Sequence, residues 1–174
     1  MKLKTLVILI LSVVSFGLPK KIQKKVDKEI KKVYELESFQ FEAFLIDHAI
    51  AKELPSKFSE NHLFTIKAEN NLLGYAYLSK APSKTAEFDY LVLINPDLSV
   101  KKAKVLIYRE EYGGEIGSKR WLRQFIGKTY NDETFRYGDN IDAISGATIS
   151  VRSMTNAMND LMSSLKALNE KGIL

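Results

Sequence analysis

The chain has 174 residues, enough for one ordinary domain and short for two. With 45% apolar and 27% charged residues it reads as globular, neither disordered nor polytopic in a membrane. The absence of cysteine excludes disulfides, thiolate metal sites, a Cys nucleophile and iron–sulfur clusters.

Residues 1–17 have the order of a secretory signal peptide: Lys2 and Lys4, an apolar run from Leu6 to Phe16, then small residues Ser15 and Gly17. The run is shorter than the roughly 20 residues of a bilayer-spanning helix. The expectation is an exported protein, with an uncleaved anchor as the alternative. The net charge of +5 is local. Residues 20–32 hold seven lysines against two acids, and outside them and the leader stand 17 basic and 19 acidic residues. Ile22, Val26, Ile30 and Val33 within this segment have helical spacing. Three readings follow: a helix packed by its apolar stripe, a helix on an anionic membrane surface, or a nucleic-acid patch. Export and the lack of interleaved aromatics argue against nucleic acid.

Residues 39–50 fit the start of a strand or a short helix. Residues 61–68 and 71–80 alternate about the turn Glu69-Asn70, which predicts a hairpin. Further strands are predicted at 87–94 and 101–110, joined by the turn at 95–99. Short connections between successive strands imply an antiparallel sheet. A glycine-rich loop at 111–118 leads to a predicted helix over 119–128, with Gly127 as its stop. The C-terminal helix is the clearest element, with Val151, Met154, Met158, Leu161, Met162, Leu165 and Leu168 at steps of three and four. The fold class is therefore α+β: an antiparallel sheet of about four or more strands, a C-terminal and a shorter helix packed on it, and an N-terminal basic amphipathic helix. The domains are a signal peptide (1–17), the basic helix and lead-in (18–58) and a main domain (59–174).

His48 and His62 match no metal spacing, and no metal site is expected. The turn Ser145-Gly146-Ala147-Thr148 precedes the long helix, whose first amides and dipole suit an anion, phosphate above all. The plain alternative is that Ser145 or Asp142 caps the helix. These features alone give a phosphate site and no reaction.

Asp142-Ala143-Ile144-Ser145-Gly146-Ala147-Thr148 resembles the flavinylation motif Asp-x-x-(Ser/Thr)-Gly-Ala-Thr of FMN-binding domains. Those domains include the flavin-bearing subunits of sodium-translocating NADH:quinone reductase and of Rnf-type complexes. The segment 108–128, ending in Gln124-Phe125-Ile126-Gly127-Lys128, and the pair Gly74-Tyr75 are similar to the same family. One departure stands out. Members in the respiratory complexes often carry Glu-Thr-Pro-Gly-Leu-Gly in the loop, where this chain has Glu111-Tyr112-Gly113-Gly114-Glu115-Ile116-Gly117.

The resemblance implies FMN bound covalently through its phosphate to Thr148, attached by an FAD:protein FMN transferase. Asp142, Ser145, Gly146 and Ala147 would shape the turn or be read by that transferase. Glu111, Gly114, Gly117 and Trp121 would serve the cofactor from the loop and helix, with Tyr112, Ile116 and Leu122 as further wall. Arg152, Lys119 and Arg120 are the candidate counter-charges to the phosphate. No residue is assigned a catalytic role. The resemblance implies an extracytoplasmic electron carrier in the periplasm or on the outer face of the membrane. Its partners would be a membrane or periplasmic redox protein, with possible membrane contact through residues 20–32. The alternatives are a flavin-dependent reductase of a small acceptor and a non-flavin module working through the basic helix.

Overall fold

The computed structural model describes residues 17–174, so nearly all of the signal-like segment lies outside the described residues. Five strands, β1 (Gln40–Ala43), β2 (Leu63–Ala68), β3 (Asn71–Pro82), β4 (Glu87–Ile94) and β5 (Val100–Ile107), form one antiparallel sheet in chain order. The β2–β3 hairpin pairs Ala68 with Asn71 across Glu69 and Asn70, both at positive φ, the geometry of a type I′ turn. Gly74 is dictated by crowding: a Cβ there would lie 2.2 Å from the carbonyl oxygen of Ile94.

The sheet is covered on both faces, and the period of two sorts its side chains. Tyr75, Tyr77, Tyr90, Val92 and Ile94 face helix α4 (Thr148–Glu170), while Ala76, Leu78, Leu91 and Leu93 face helix α1 (Lys20–Tyr34). Every predicted apolar position of α4 from Val151 to Leu168 is buried. In α1, Ile22, Val26 and Ile30 are buried against Phe64, Ile66, Leu91 and Leu93. The basic helix is thus a structural layer whose apolar stripe is taken by the sheet; its lysines are exposed, and Lys25 reaches back to donate from Nζ to Leu106 O (2.7 Å). Residues 39–50 supply both alternatives, strand β1 and then the start of helix α2 (His48–Glu53), capped by Asp47.

The single helix expected over 119–128 is tighter and shorter. Helix α3 covers Lys119–Leu122, and Arg123–Phe125 continue as a 3₁₀ turn. The chain then binds the start of β5, with Gly127 N–H donating to Val100 O (2.7 Å) and Val100 N–H to Lys128 O (2.8 Å). That bond requires the chain to leave the helical path, and Gly127 does so at φ +79. Among the described residues no helix is long and apolar enough to cross a membrane.

Candidate functional site

The turn that opens α4 is held from three sides. Within it, Ala147 N–H donates to Ile144 O (3.1 Å) across Gly146, which takes φ +77 as the third position of such a turn requires. From α3, the indole N–H of Trp121 donates to Asp142 O (2.8 Å). Gln124 accepts from Asp142 N–H at 2.8 Å and donates to Trp121 O at 2.9 Å. From the glycine loop, Gly113 lies so close that a Cβ on it would be 2.6 Å from the Ala147 Cβ. Further along, Asn159 of α4 clasps both backbone groups of Phe135, each at 2.9 Å, which ties the loop before the turn to the helix.

Neither Ser145 nor Asp142 caps the helix, contrary to the capping alternative. The N-cap residue is Ala147, which has no side-chain acceptor to offer. The first intrahelical bond runs from Val151 N–H to Ala147 O (2.9 Å), so the amides of Thr148, Ile149 and Ser150 precede it. Thr148 is exposed as the first helical residue, beside a buried Ala147.

Thr148 borders a cavity of about 400 Å³, within the size range of small-molecule sites. Its cation is Lys84 from the β3–β4 connection, and its carboxylate is Glu110. Glu110 accepts from Ser83 Oγ (2.6 Å), Thr85 N–H (2.7 Å), Thr85 Oγ1 (2.9 Å) and Ala86 N–H (3.2 Å). Those bonds, led by the Ser83 hydroxyl, favour the charged form and bring its pKa down to about 2. The carboxylate therefore serves to fix the loop that carries Lys84. Tyr108 closes the floor through a 3.0 Å hydrogen bond between its hydroxyl and buried Ser150. Tyr112, 78% exposed, and Ile149, 48% exposed, stand at the rim, two large apolar side chains left in solvent beside the threonine.

The sequence-predicted residues divide. Gly146, Ala147 and Thr148 border this cavity. Asp142, Ser145, Trp121 and Arg120 border a separate depression of about 290 Å³ beside the same turn. Trp121, Ile116 and Leu122 are core side chains, 4%, 0% and 2% exposed, so of the proposed wall only Tyr112 is free to meet a ligand. Glu111, Gly114 and Gly117 border neither space, whereas the neighbouring Glu110 and Tyr112 border the Thr148 cavity. A Cβ on Gly114 would meet nothing within 4 Å, and one on Gly117 would meet only Val105 at 3.9 Å. Of the candidate counter-charges, Arg152 stacks over the Tyr137 ring at 4.6 Å, Arg120 sits in the second depression, and Lys119 borders neither. Lys84, sixty-four residues before Thr148 in the chain, had no local signal to mark it.

An exposed hydroxyl, free helix-start amides, one lysine and an apolar rim are what a phosphate with a flat aromatic ring attached would require. The fold and the site define an α+β domain built to present a threonine at a helix start. The family model of the FMN-binding domain matches residues 85–163, from the start of β4 through most of α4. The resemblance read from the sequence is borne out by this match over residues 85–163. The crystal structure of Shewanella oneidensis NqrC is similar at 20% identity and a TM-score of 0.49, over 74% of this chain and 70% of that one. No curated protein matches.

Proposed function

We propose that this chain carries FMN as a phosphoester of Thr148 and relays electrons outside the cytoplasm. The observation that carries the reading is the placement of Thr148: exposed, at an uncapped helix start, on a cavity whose one cation is Lys84. A lone threonine hydroxyl is a weak nucleophile, and no histidine borders the cavity. Activation therefore falls to an FAD:protein FMN transferase. In that transfer the threonine oxygen bonds to the FMN phosphorus of FAD. The pyrophosphate bond breaks, AMP leaves, and the hydroxyl proton passes to the transferase or solvent.

The bound flavin supplies the electron chemistry. This chain's part is to hold and shield it. Lys84 and the helix-start amides would hold the phosphodiester's single negative charge, and Tyr112 and Ile149 would offer apolar contact to the ring. Asp142 and Ser145, exposed on the other depression, would be read by the transferase. A covalent tether suits an exported protein, because flavin lost outside the cytoplasm is not readily replaced.

The signal-like residues 1–17 support export to the periplasm or the outer membrane face, where a membrane or periplasmic protein exchanges electrons with the flavin. With the stripe of α1 engaged by the sheet, contact of residues 20–32 with an anionic membrane would be electrostatic.

The test is the intact mass of the protein co-expressed with a flavin transferase, beside Thr148→Ala. A gain equal to FMN minus water, absent in the variant, is expected. An unmodified mass, with the same transferase labelling a known acceptor, would refute the covalent reading.

A further inference from the structure

On the α1 face of the sheet, at the end of β3, β4 and β5, lies a second cavity of about 500 Å³. Leu18, just before α1, and Ile22 of its first turn roof it, and Leu78 and Leu106 of the sheet form an apolar floor. It is separate from the Thr148 cavity, although β5 runs on into both. Tyr108 borders the Thr148 cavity, while Ile107 and Arg109 on either side of it border this one.

Its polar lining is rich in donors. Asp89, 8% exposed, is occupied by Arg109 at 2.5 Å, and the same guanidinium donates to Glu87 O at 2.6 Å. Lys21, Lys57 and Lys80 border the cavity without an ion-pair partner among the described residues, against one such carboxylate, Glu87. His62 adds another donor. Ser59 N–H donates to its Nδ1 at 3.1 Å, which puts the proton of the neutral ring on Nε2. Burial, then the charge of Lys57, lowers the pKa of His62, which favours the neutral ring.

We infer that this cavity binds a small carboxylate with an apolar body, an aliphatic or aromatic acid. The tail would lie on Leu78, Leu106 and Ile22, and the carboxylate would meet Lys57, Lys80 and His62 Nε2–H. The size falls in the range of roughly 300–1,000 Å³ usual for small-ligand sites. The excess of ammonium groups at the rim over one carboxylate selects the sign of the ligand. The inference is independent of the flavin reading, since it uses no residue of the Thr148 cavity.

The test is a titration of the full chain with decanoate and with decanol, followed by calorimetry and by imidazole NMR. The chain has only two histidines, and His48 lies away from this cavity, so each reports a separate place. Decanoate is expected to saturate a single site and to move the His62 resonances, leaving those of His48 in place. Lys57→Glu with Lys80→Glu should weaken it roughly tenfold or more, because two exposed favourable charges become unfavourable. Lys28→Glu with Lys32→Glu, an equal change in net charge outside this cavity, should alter it by less than about twofold. No saturable shift at His62, decanol binding as tightly as decanoate, or equal losses in both double variants would overturn the inference.

Discussion

Gly113 and Ala147 pack with no room between them: a Cβ at 113 would come within 2.6 Å of the Ala147 Cβ and 3.1 Å of both its Cα and the Tyr108 hydroxyl. Gly113 also takes φ +78, a region that L side chains rarely adopt. One contact therefore joins the glycine loop to the threonine turn, and both need small residues at it. Gly113→Ala is expected to cost about 1–3 kcal/mol through strain and overpacking, and to slow flavin transfer to Thr148. Gly114→Ala, with open space around it, should stay within about 0.5 kcal/mol of the parent. Urea unfolding and a timed mass assay on both variants check this; equal behaviour of the two would refute it.

The hydrogen bonds from α3 to Asp142 make a second prediction. Trp121→Phe keeps the edge-on aromatic contact with Phe125, whose ring centroid is 5.4 Å away, but removes the donor to Asp142 O. A loss of about 1 kcal/mol in stability is expected. Flavin transfer should slow further in Trp121→Phe combined with Gln124→Ala, which frees Asp142 N–H as well. If the double variant is labelled as fast as the parent, these bonds do not set the turn.

Much of this architecture is legible in the residues. The hydrophobic steps of α4 and of α1, the alternation of β2 and β3 and the Glu69-Asn70 turn are local patterns, and the structure follows them. The cavity beside Thr148 is different, because Lys84, Tyr108, Glu110 and Tyr112 reach it from loops set by the sheet's register. No periodicity marks such a meeting. The neighbouring Glu111 and Gly114 look equally suitable in one dimension, and only the course of the loop after β5 distinguishes them. The N-cap was misleading for a related reason. Ser145 and Asp142 have the right side chains, but the Ile144–Ala147 turn starts the helix after both.

Glu110 makes stability depend on acid in a definite direction. Its folded pKa of about 2 lies below the ordinary 4.5, so the folded state favours the ionised carboxylate. The contribution is full above pH 4.5 and is lost as the pH falls towards 2. Glu110→Gln should therefore be less stable than the parent at neutral pH, with the gap closing between about pH 4.5 and 2. Faster amide exchange at Thr85 and Ala86 in the variant would locate the effect, since both amides donate to this carboxylate. A gap independent of pH would show that the carboxylate's charge is not what holds the loop.

The N-terminal helix separates packing from charge. Ile30 is fully buried between α1 and the sheet, against a surface that includes Phe64, Leu91 and Leu93. Lys28, two residues earlier, is exposed. Ile30→Ala should destabilise the whole domain by roughly 2–5 kcal/mol, the range for truncating a large aliphatic side chain in a packed core. Lys28→Gln should change stability by less than about 0.5 kcal/mol. Any effect of the lysine substitution should instead appear in sedimentation with anionic vesicles and fade as salt is raised. If Ile30→Ala proved as mild as Lys28→Gln, α1 would be a detachable segment, and its stripe would be free for a membrane after all.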